Sequence, residues 1–369
     1  MKLSSIQSLR AIAVLLVVYT HSIDLQMQFA VSRQQQFFHL QDFGAIGVDL
    51  FFVISGFIIT FIGNKYIGAE QGFHFLVKRF WRINPAYYLA SLLYWGIYTI
   101  QSRLIPEEVQ MSFQTTLNAL YETLLIIPVS GYYPPSAPLL YIGWSLSFEW
   151  LFYLLFLLLI VSRVKYKAVS LVFIITGLVI LGYFMRVLDY RLIFITNPIM
   201  LEFLLGVMIC WIYLRVKSLP HIVAMLLLLL GIAGYVALIL TGFGIISELE
   251  QVLSSNASMR RFLLWGLPSA ALAAGCIFLE GNKVFNYIIN NRWMQLMGDA
   301  SYSIYLVHLS VFSLLTIIYY RIGFFMPADL AVMLQVLIGA TAGIGFYVLV
   351  ERPLLKKTYR NYIPHFIKM

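Results

Sequence analysis

Charge is scarce in this sequence. Only 11% of its 369 residues are Asp, Glu, Lys or Arg, less than half of the roughly 25% found in soluble domains. That supply cannot coat a soluble protein of this length. Cysteine is scarcer still. Cys210 and Cys276 lie in separate apolar segments without metal-ligand spacing, which argues against a disulfide framework or a zinc site and leaves buried, inert thiols. No linker, low-complexity tract or clear internal repeat interrupts the chain, so disorder and a collagenous fibre are excluded and residues 1–369 form one domain. The net charge of +9 is not gathered into a basic run outside the short segments between apolar stretches, and a nucleic-acid partner is therefore not expected. No small-x-small cleavage site follows the first apolar run, which carries Arg10 and His21. It reads as a span, not as a cleaved signal peptide.

What the chain has in quantity is apolar length. Hydrophobic residues make up 61% of it, and the mean hydropathy is +0.85. Apolar runs near 20 residues predict helices that cross a bilayer. Ten are marked, at 4–23, 43–64, 80–100, 142–162, 168–187, 192–215, 219–241, 261–280, 300–322 and 329–350. A shorter stretch at 115–129, after Pro106-Glu107-Glu108 and cut by Pro128, is too short to cross and is expected at the interface or re-entering. The fold class is an all-α polytopic membrane protein with about ten transmembrane helices. Placing both termini in the cytoplasm puts 18 of the 25 Lys and Arg inside and 7 outside, the bias that membrane topology favours. The longest connection, near 101–141, then faces outward and holds Gly131-Tyr132-Tyr133-Pro134-Pro135, a rigid aromatic turn.

Ionisable groups inside such runs cost roughly 2.5–3.5 kcal/mol on insertion scales, so each needs a partner or a purpose. Arg10 and His21 are eleven residues apart in the first run. At 100° per residue they share one helix face, roughly 16 Å apart along the axis. The functional reading is a polar stripe on a cavity, with His21 as base and Arg10 binding an anion; the bland one is an anchoring Arg and an interfacial His. Asp24, one turn on, either orients the imidazole or is solvated. Asp49 lies in the second run with Ser55 and Gly56, and an Arg partner explains it as well as a functional role does. Arg79 and Arg82 neighbour each other on a helix face. Paired guanidinium groups suit a phosphorylated ligand, although on charge alone a membrane anchor is the better explanation. Glu149 stands inside the run at 142–162, with Ser145 one turn before it. Such a buried carboxyl takes up a proton or pairs with a cation. Tyr302, Tyr305 and His308 drift round the ninth run and read best as a core aromatic stripe.

These residues fall in an ordered series that resembles the acyltransferase 3 family of polytopic membrane acyltransferases. The series runs from Ser8-Leu9-Arg10-Ala11-Ile12-Ala13, with its Arg-x10-His spacing to His21, through Gly47-Val48-Asp49-Leu50-Phe51-Phe52-Val53-Ile54-Ser55-Gly56-Phe57. Arg79-x-x-Arg82, Gly143-Trp144-Ser145-Leu146-Ser147-Phe148-Glu149, Ser301-Tyr302-Ser303-Ile304-Tyr305-Leu306-Val307-His308 and Glu351-Arg352-Pro353 follow in order. The Arg/His spacing alone is a weak signal; the ordered set covers nearly the entire chain and is highly specific.

The resemblance implies transfer of an acyl group, often acetyl from acetyl-CoA, to a hydroxyl of an extracytoplasmic glycan or another small acceptor. Within the family the sequence is most similar to the exopolysaccharide and lipopolysaccharide O-acetyltransferases of the bacterial cytoplasmic membrane. No esterase-like segment follows the membrane part, so the membrane domain is expected to complete the reaction, alone or with partners. On this reading no cofactor or metal is permanently bound. Acetyl-CoA or another acyl-CoA is the co-substrate, and the partners are a carbohydrate or lipid-linked glycan and membrane lipids. His21 and Glu149 are the expected catalytic residues, His21 as general base or acyl carrier and Glu149 as its orienting partner. Arg10, Arg79, Arg82 and Asp49 are the expected donor- or substrate-binding residues. A secondary transporter or flippase of a lipid-linked sugar is the rival, since buried Arg10, Asp49 and Glu149 also suit a coupling path; a non-enzymatic scaffold is a third reading. The acceptor, the acyl chain and the oligomeric state stay open.

Overall fold

The computed structural model describes residues 3–29, 43–105, 112–126, 138–185, 189–216, 218–242, 249–323 and 326–356. The aromatic turn at 131–135, the breakers Pro106 and Pro128 and the acids Glu107 and Glu108 lie outside them. The first half of the chain forms α1 (Ser4–Phe29), α2 (Ile46–Gly63), α3 (Ala69–Leu104), α4 (Phe113–Leu125), α5 (Trp144–Val161), α6 (Lys167–Met185) and α7 (Tyr190–Ile195). The second half forms α8 (Met200–Val216), α9 (His221–Thr241), α10 (Leu249–Leu253), α11 (Ser258–Arg261), α12 (Leu267–Leu279), α13 (Lys283–Ile289), α14 (Arg292–Ile322) and α15 (Ala328–Phe346). Among the described residues there is no β-strand. In hydrocarbon only intrahelical bonding or a closed barrel satisfies every backbone group, so apolar runs of this length become helices.

Nine stretches of the described residues are long and apolar enough to cross a membrane. They coincide with nine of the ten expected segments. The remaining one, 80–100, lies within α3, a helix of 36 residues. At 1.5 Å per residue it is about 54 Å long, well beyond the roughly 30 Å of a hydrocarbon core. Its polar residues, Lys78, Arg79, Arg82 and Asn84, together with its tyrosines, set it apart from the nine. The expected span at 192–215 is broken into α7 and α8 at Asn197-Pro198. Proline cannot donate the next helical bond, and the Asn197 side chain repairs the break by accepting from Ile199 N (3.0 Å) and donating to Val252 O (2.8 Å). The described part of the stretch at 115–129 falls in α4, whose 13 residues are capped by Ser112 Oγ accepting from Thr115 N. At about 20 Å it is too short to cross.

The helices approach closely where side chains are missing. A Cβ on Gly56 of α2 would stand 2.1 Å from the Phe203 carbonyl oxygen, and one on Gly206 of α8 2.0 Å from that of Val53. Small residues at such crossings let backbones touch, which is how helices associate where lipid offers no hydrophobic drive. The start of α1 is fixed by Glu280, whose carboxylate accepts from Ser4 N (2.8 Å) and Ser5 N (3.2 Å), a favourable charge for exposed helix N–H groups. In contrast, α6 and α9 pack little of their surface and leave Phe173, Tyr183, Leu226 and Leu230 exposed, as lipid-facing helices do. The basic turns converge: Lys167 Nζ reaches Asn64 O (3.3 Å), and Gly68 N bonds Ile160 O (2.8 Å). This groups Lys65, Arg163 and Lys165 at one end of the bundle.

Candidate active site

Two cavities open along α1. The first, of about 170 Å³, takes Arg10 from α1, Ser55 from α2, Arg79 and Arg82 from α3, Glu149 and Tyr153 from α5, and Tyr302 from α14. Arg82 is ion-paired with Glu351, which also accepts from Ser303 Oγ. Glu351 belongs to a π-helical turn, Tyr347–Glu351, that extends α15. Arg79 lies over the rings of Phe75 (5.6 Å) and Tyr153 (5.9 Å), and its buried Nε has no hydrogen-bond partner among the described residues. Neither Arg10 nor Arg79 forms an ion pair with a carboxylate among the described residues. The charges acting most strongly on Arg10 are Arg82, of like sign, and then Glu351. Three guanidinium groups thus meet in one cavity with one of them neutralised. Glu149 accepts from Ser55 Oγ (2.6 Å) and from the Tyr153 hydroxyl, so hydroxyl groups satisfy it.

The second cavity, of about 200 Å³, is lined by His21, Thr20 and Asp24 of α1, by Tyr141 and Trp144, and by Arg261. His21 Nδ1 is 2.8 Å from Nε2 of His308, a fully buried residue of α14. His308 Nδ1 in turn lies 3.2 Å from the carbonyl oxygen of Ile304, one turn back. Tyr141 meets His21 edge-on, ring centroids 6.0 Å apart. The two cavities have Val48 and Tyr305 in common. The Tyr305 hydroxyl donates to Ile142 O (2.9 Å) and stands 2.8 Å from Ser145 Oγ.

The structure therefore brings Arg10, Arg79, Arg82 and Glu149 together and places His21 in the adjoining chamber. Glu149, expected beside His21, is in the arginine cavity instead; Ser145, on its face by periodicity, bonds Tyr305 and not Glu149. Asp49 borders neither cavity. It is fully buried and takes Arg261 Nε (2.9 Å) and Nη2 (2.7 Å) as a two-pronged partner. Arg261 also donates to Ala45 O (3.2 Å) and covers Trp265 at 4.6 Å, and the Glu202 carboxyl is close by. Asp49 in this way ties α2 to α11, and Arg261, not Asp49, reaches the His21 chamber. Sequence reasoning reads His308 as part of a core aromatic stripe and gives Arg261 no role in the site. For His308 the signal was a second histidine in an apolar helix, in a chain with only six. For Arg261 it was a buried acid elsewhere that needed a cation.

The pattern agrees with comparisons to known proteins. A family described as "Acyltransferase domain" matches residues 3–352. The chain belongs to this acyltransferase 3 family and is an acyltransferase. It is 32% identical over 321 residues to the exopolysaccharide production protein ExoZ of Rhizobium meliloti, covering 85% of this chain and 90% of that protein. It is 24% identical over 340 residues to the O-acetyltransferase OatA of Staphylococcus aureus, covering 86% of this chain and 54% of OatA. Against the peptidoglycan O-acetyltransferase OatA of Listeria monocytogenes it is 25% identical over 392 residues, covering 98% and 57%. The chain thus spans little more than half the length of the OatA proteins. No solved structure matches.

Proposed function

We propose that this protein moves an acetyl group from acetyl-CoA, or another acyl group from its CoA thioester, to a hydroxyl of a surface or exported glycan. It does so in the cytoplasmic membrane of a bacterium, with both termini inside. The observation that carries the reading is the junction of the two cavities: arginines with unclaimed charge line one, His21 lines the other, and Val48 and Tyr305 border both. The relatives named for exopolysaccharide production and O-acetyl transfer supply the acceptor class and the acetyl group.

The donor's phosphates bind Arg10 and Arg79, because a guanidinium forks onto two oxygens and binds charge tightly where water is thin. Arg82, already held by Glu351, shapes the floor and adds field. The pantetheine arm runs from this cavity past Val48 and Tyr305 and delivers the thioester carbonyl to the His21 chamber. There His21 takes the proton of the acceptor hydroxyl as its oxygen attacks, a contribution of roughly 10²–10⁴-fold for a positioned base. Holding both reactants at the junction supplies much of the remainder, since fixed geometry replaces an encounter in solution. Glu149, satisfied by Ser55 and Tyr153, orders the wall against which the arm lies.

The test is calorimetric acyl-CoA binding by the purified protein, with turnover on a hydroxyl acceptor and the O-acyl content of surface glycan by mass spectrometry in a deletion strain and its complement. Binding with CoA release, and O-acyl groups that vanish and return with the gene, are expected. A folded protein that restores O-acylation without binding acyl-CoA contradicts the donor. A protein that moves a lipid-linked sugar without acyl transfer contradicts the reaction.

A further inference from the structure

The two histidines are built as a directional pair, and the direction decides which atom of His21 does chemistry. The separation of the ring centroids, 5.0 Å, exceeds the nitrogen–nitrogen distance of 2.8 Å by about two ring radii, and the planes are 19° apart. The bond between His21 Nδ1 and His308 Nε2 therefore lies along the line joining the rings and nearly in both planes, as an N–H···N bond requires. At the other end of His308, Nδ1 faces the Ile304 carbonyl oxygen at 3.2 Å. A carbonyl only accepts, so His308 carries its proton on Nδ1. A doubly protonated His308 would be a fully buried cation without a carboxylate at its Nε2, a costly state. Its Nε2 is then a lone pair, and a lone pair can meet His21 Nδ1 only if that nitrogen bears the hydrogen. The remaining nitrogen of His21, Nε2, is left unprotonated and makes no hydrogen bond among the described residues.

We infer that His308 is a positioning residue: it fixes His21 as the Nδ1–H tautomer with Nε2 as the free base in the chamber. This rests on the acyl-transfer reading above. The step balances as follows. The acceptor O–H bond breaks and its proton goes to His21 Nε2, while the acceptor oxygen bonds to the thioester carbonyl carbon. The C–S bond breaks, its electron pair stays on sulfur, and the proton on Nε2 passes to that sulfur, leaving an ester and the CoA thiol. While His21 is an imidazolium its Nδ1–H bond to His308 becomes charge-assisted and stronger, so the pair favours the moment of reaction over the resting state. His308 touches no reactant. It is locked by Phe312, edge-on at 5.7 Å, and by the close passage of α15 at Gly339, where a Cβ would stand 3.5 Å from that of His308. The titratable groups of other elements that border the chamber with His21 are Tyr141, Tyr305 and Arg261, with Asp24 on α1 itself.

The experiment compares wild type with His21→Ala, His308→Leu and His308→Gln. Leucine fills the space without an acceptor; glutamine offers a carbonyl to His21 and an amide N–H to Ile304 O. For each, membrane abundance, donor affinity, kcat and the nitrogen-15 NMR spectrum of histidine-labelled protein are measured, with His21 assigned by its loss in His21→Ala. The wild-type spectrum should show His21 with hydrogen on Nδ1 and a lone pair on Nε2. His308→Leu should lower kcat at least about 10-fold, yet no further than the roughly 10²–10⁴-fold worth of the base itself, with donor affinity unchanged. His308→Gln should restore kcat to within a few fold and keep the tautomer. Hydrogen on Nε2 in the wild type, or an undiminished kcat in His308→Leu, would overturn the assignment. So would His308→Gln failing as deeply as His308→Leu at equal abundance. Full activity in His21→Ala would instead defeat the acyl-transfer role of His21, and the spectrum would still report the pair on its own.

Discussion

Val48 and Tyr305 each border both the arginine cavity and the His21 cavity. Tyr305 is tied to Ile142 O and lies beside Ser145, so one side of the junction is hydrogen-bonded and the other is a small aliphatic side chain. Val48→Phe should close the passage. Turnover is expected to fall roughly 10²-fold, the scale of a reacting group held back by about an ångström, with donor affinity at wild-type strength. Binding titrations beside single-turnover rates check this. Wild-type turnover in Val48→Phe would mean that the acyl group travels elsewhere.

The three arginines should separate by partner. Arg10→Gln and Arg79→Gln are each expected to weaken acyl-CoA binding by about 10- to 150-fold, the loss of one charge-assisted bond of about 1.5–3 kcal/mol. Arg82→Gln leaves the buried Glu351 without its cation. Its main effect should be on folding, on the order of 3 kcal/mol, read as reduced melting temperature and membrane abundance. Equal losses of affinity with unchanged stability in all three variants would remove the distinction.

Asp49→Asn tests whether the second buried pair is structural. Breaking it takes the two-pronged carboxylate partner from the buried Arg261, at a cost of roughly 3–5 kcal/mol. Thermal unfolding in detergent should report a large fall, while the donor affinity of the surviving folded protein stays near that of wild type. A stable Asp49→Asn protein with lost donor binding would return Asp49 to the substrate-binding set.

Much of this arrangement was legible in the chain. Helical spacing of eleven residues is enough to predict that Arg10 and His21 look to the same side of α1, and they line adjoining cavities. Apolar run length marked ten segments, and nine of them coincide with stretches long and apolar enough to cross among the described residues, because a span has to satisfy its own backbone. What periodicity cannot supply is contact between distant segments. Asp49 and Arg261 are separated by 212 positions, and Arg82 and Glu351 by 269. Nothing local at Glu149 says that Ser55 meets it, yet the packing of α2 on α5 turns its carboxylate to Ser55 in the arginine cavity and not to His21. His308 was hidden for a related reason. Tyr305 stands three residues before it and Phe312 four after, which reads as a core stripe, and only the approach of α1 to α14 reveals its second ring nitrogen as a partner for His21.

Close packing of α2 on α8 gives a further expectation. Gly206→Ala would place a methyl 2.0 Å from the Val53 carbonyl oxygen, and forced separation of packed helices costs typically 1–3 kcal/mol. The variant should melt earlier while retaining His21-dependent turnover per folded molecule at low temperature. An unchanged melting temperature would show that the two helices can part without cost.

The division of labour between the cavities is tested most directly by calorimetric acyl-CoA binding and turnover measured together on wild type, Arg79→Gln and His21→Ala. Arg79→Gln should lose donor affinity about 10-fold or more. His21→Ala should bind the donor like wild type while its kcat falls by roughly 10²–10⁴-fold. Loss of donor binding in His21→Ala, or wild-type affinity in Arg79→Gln, would contradict it.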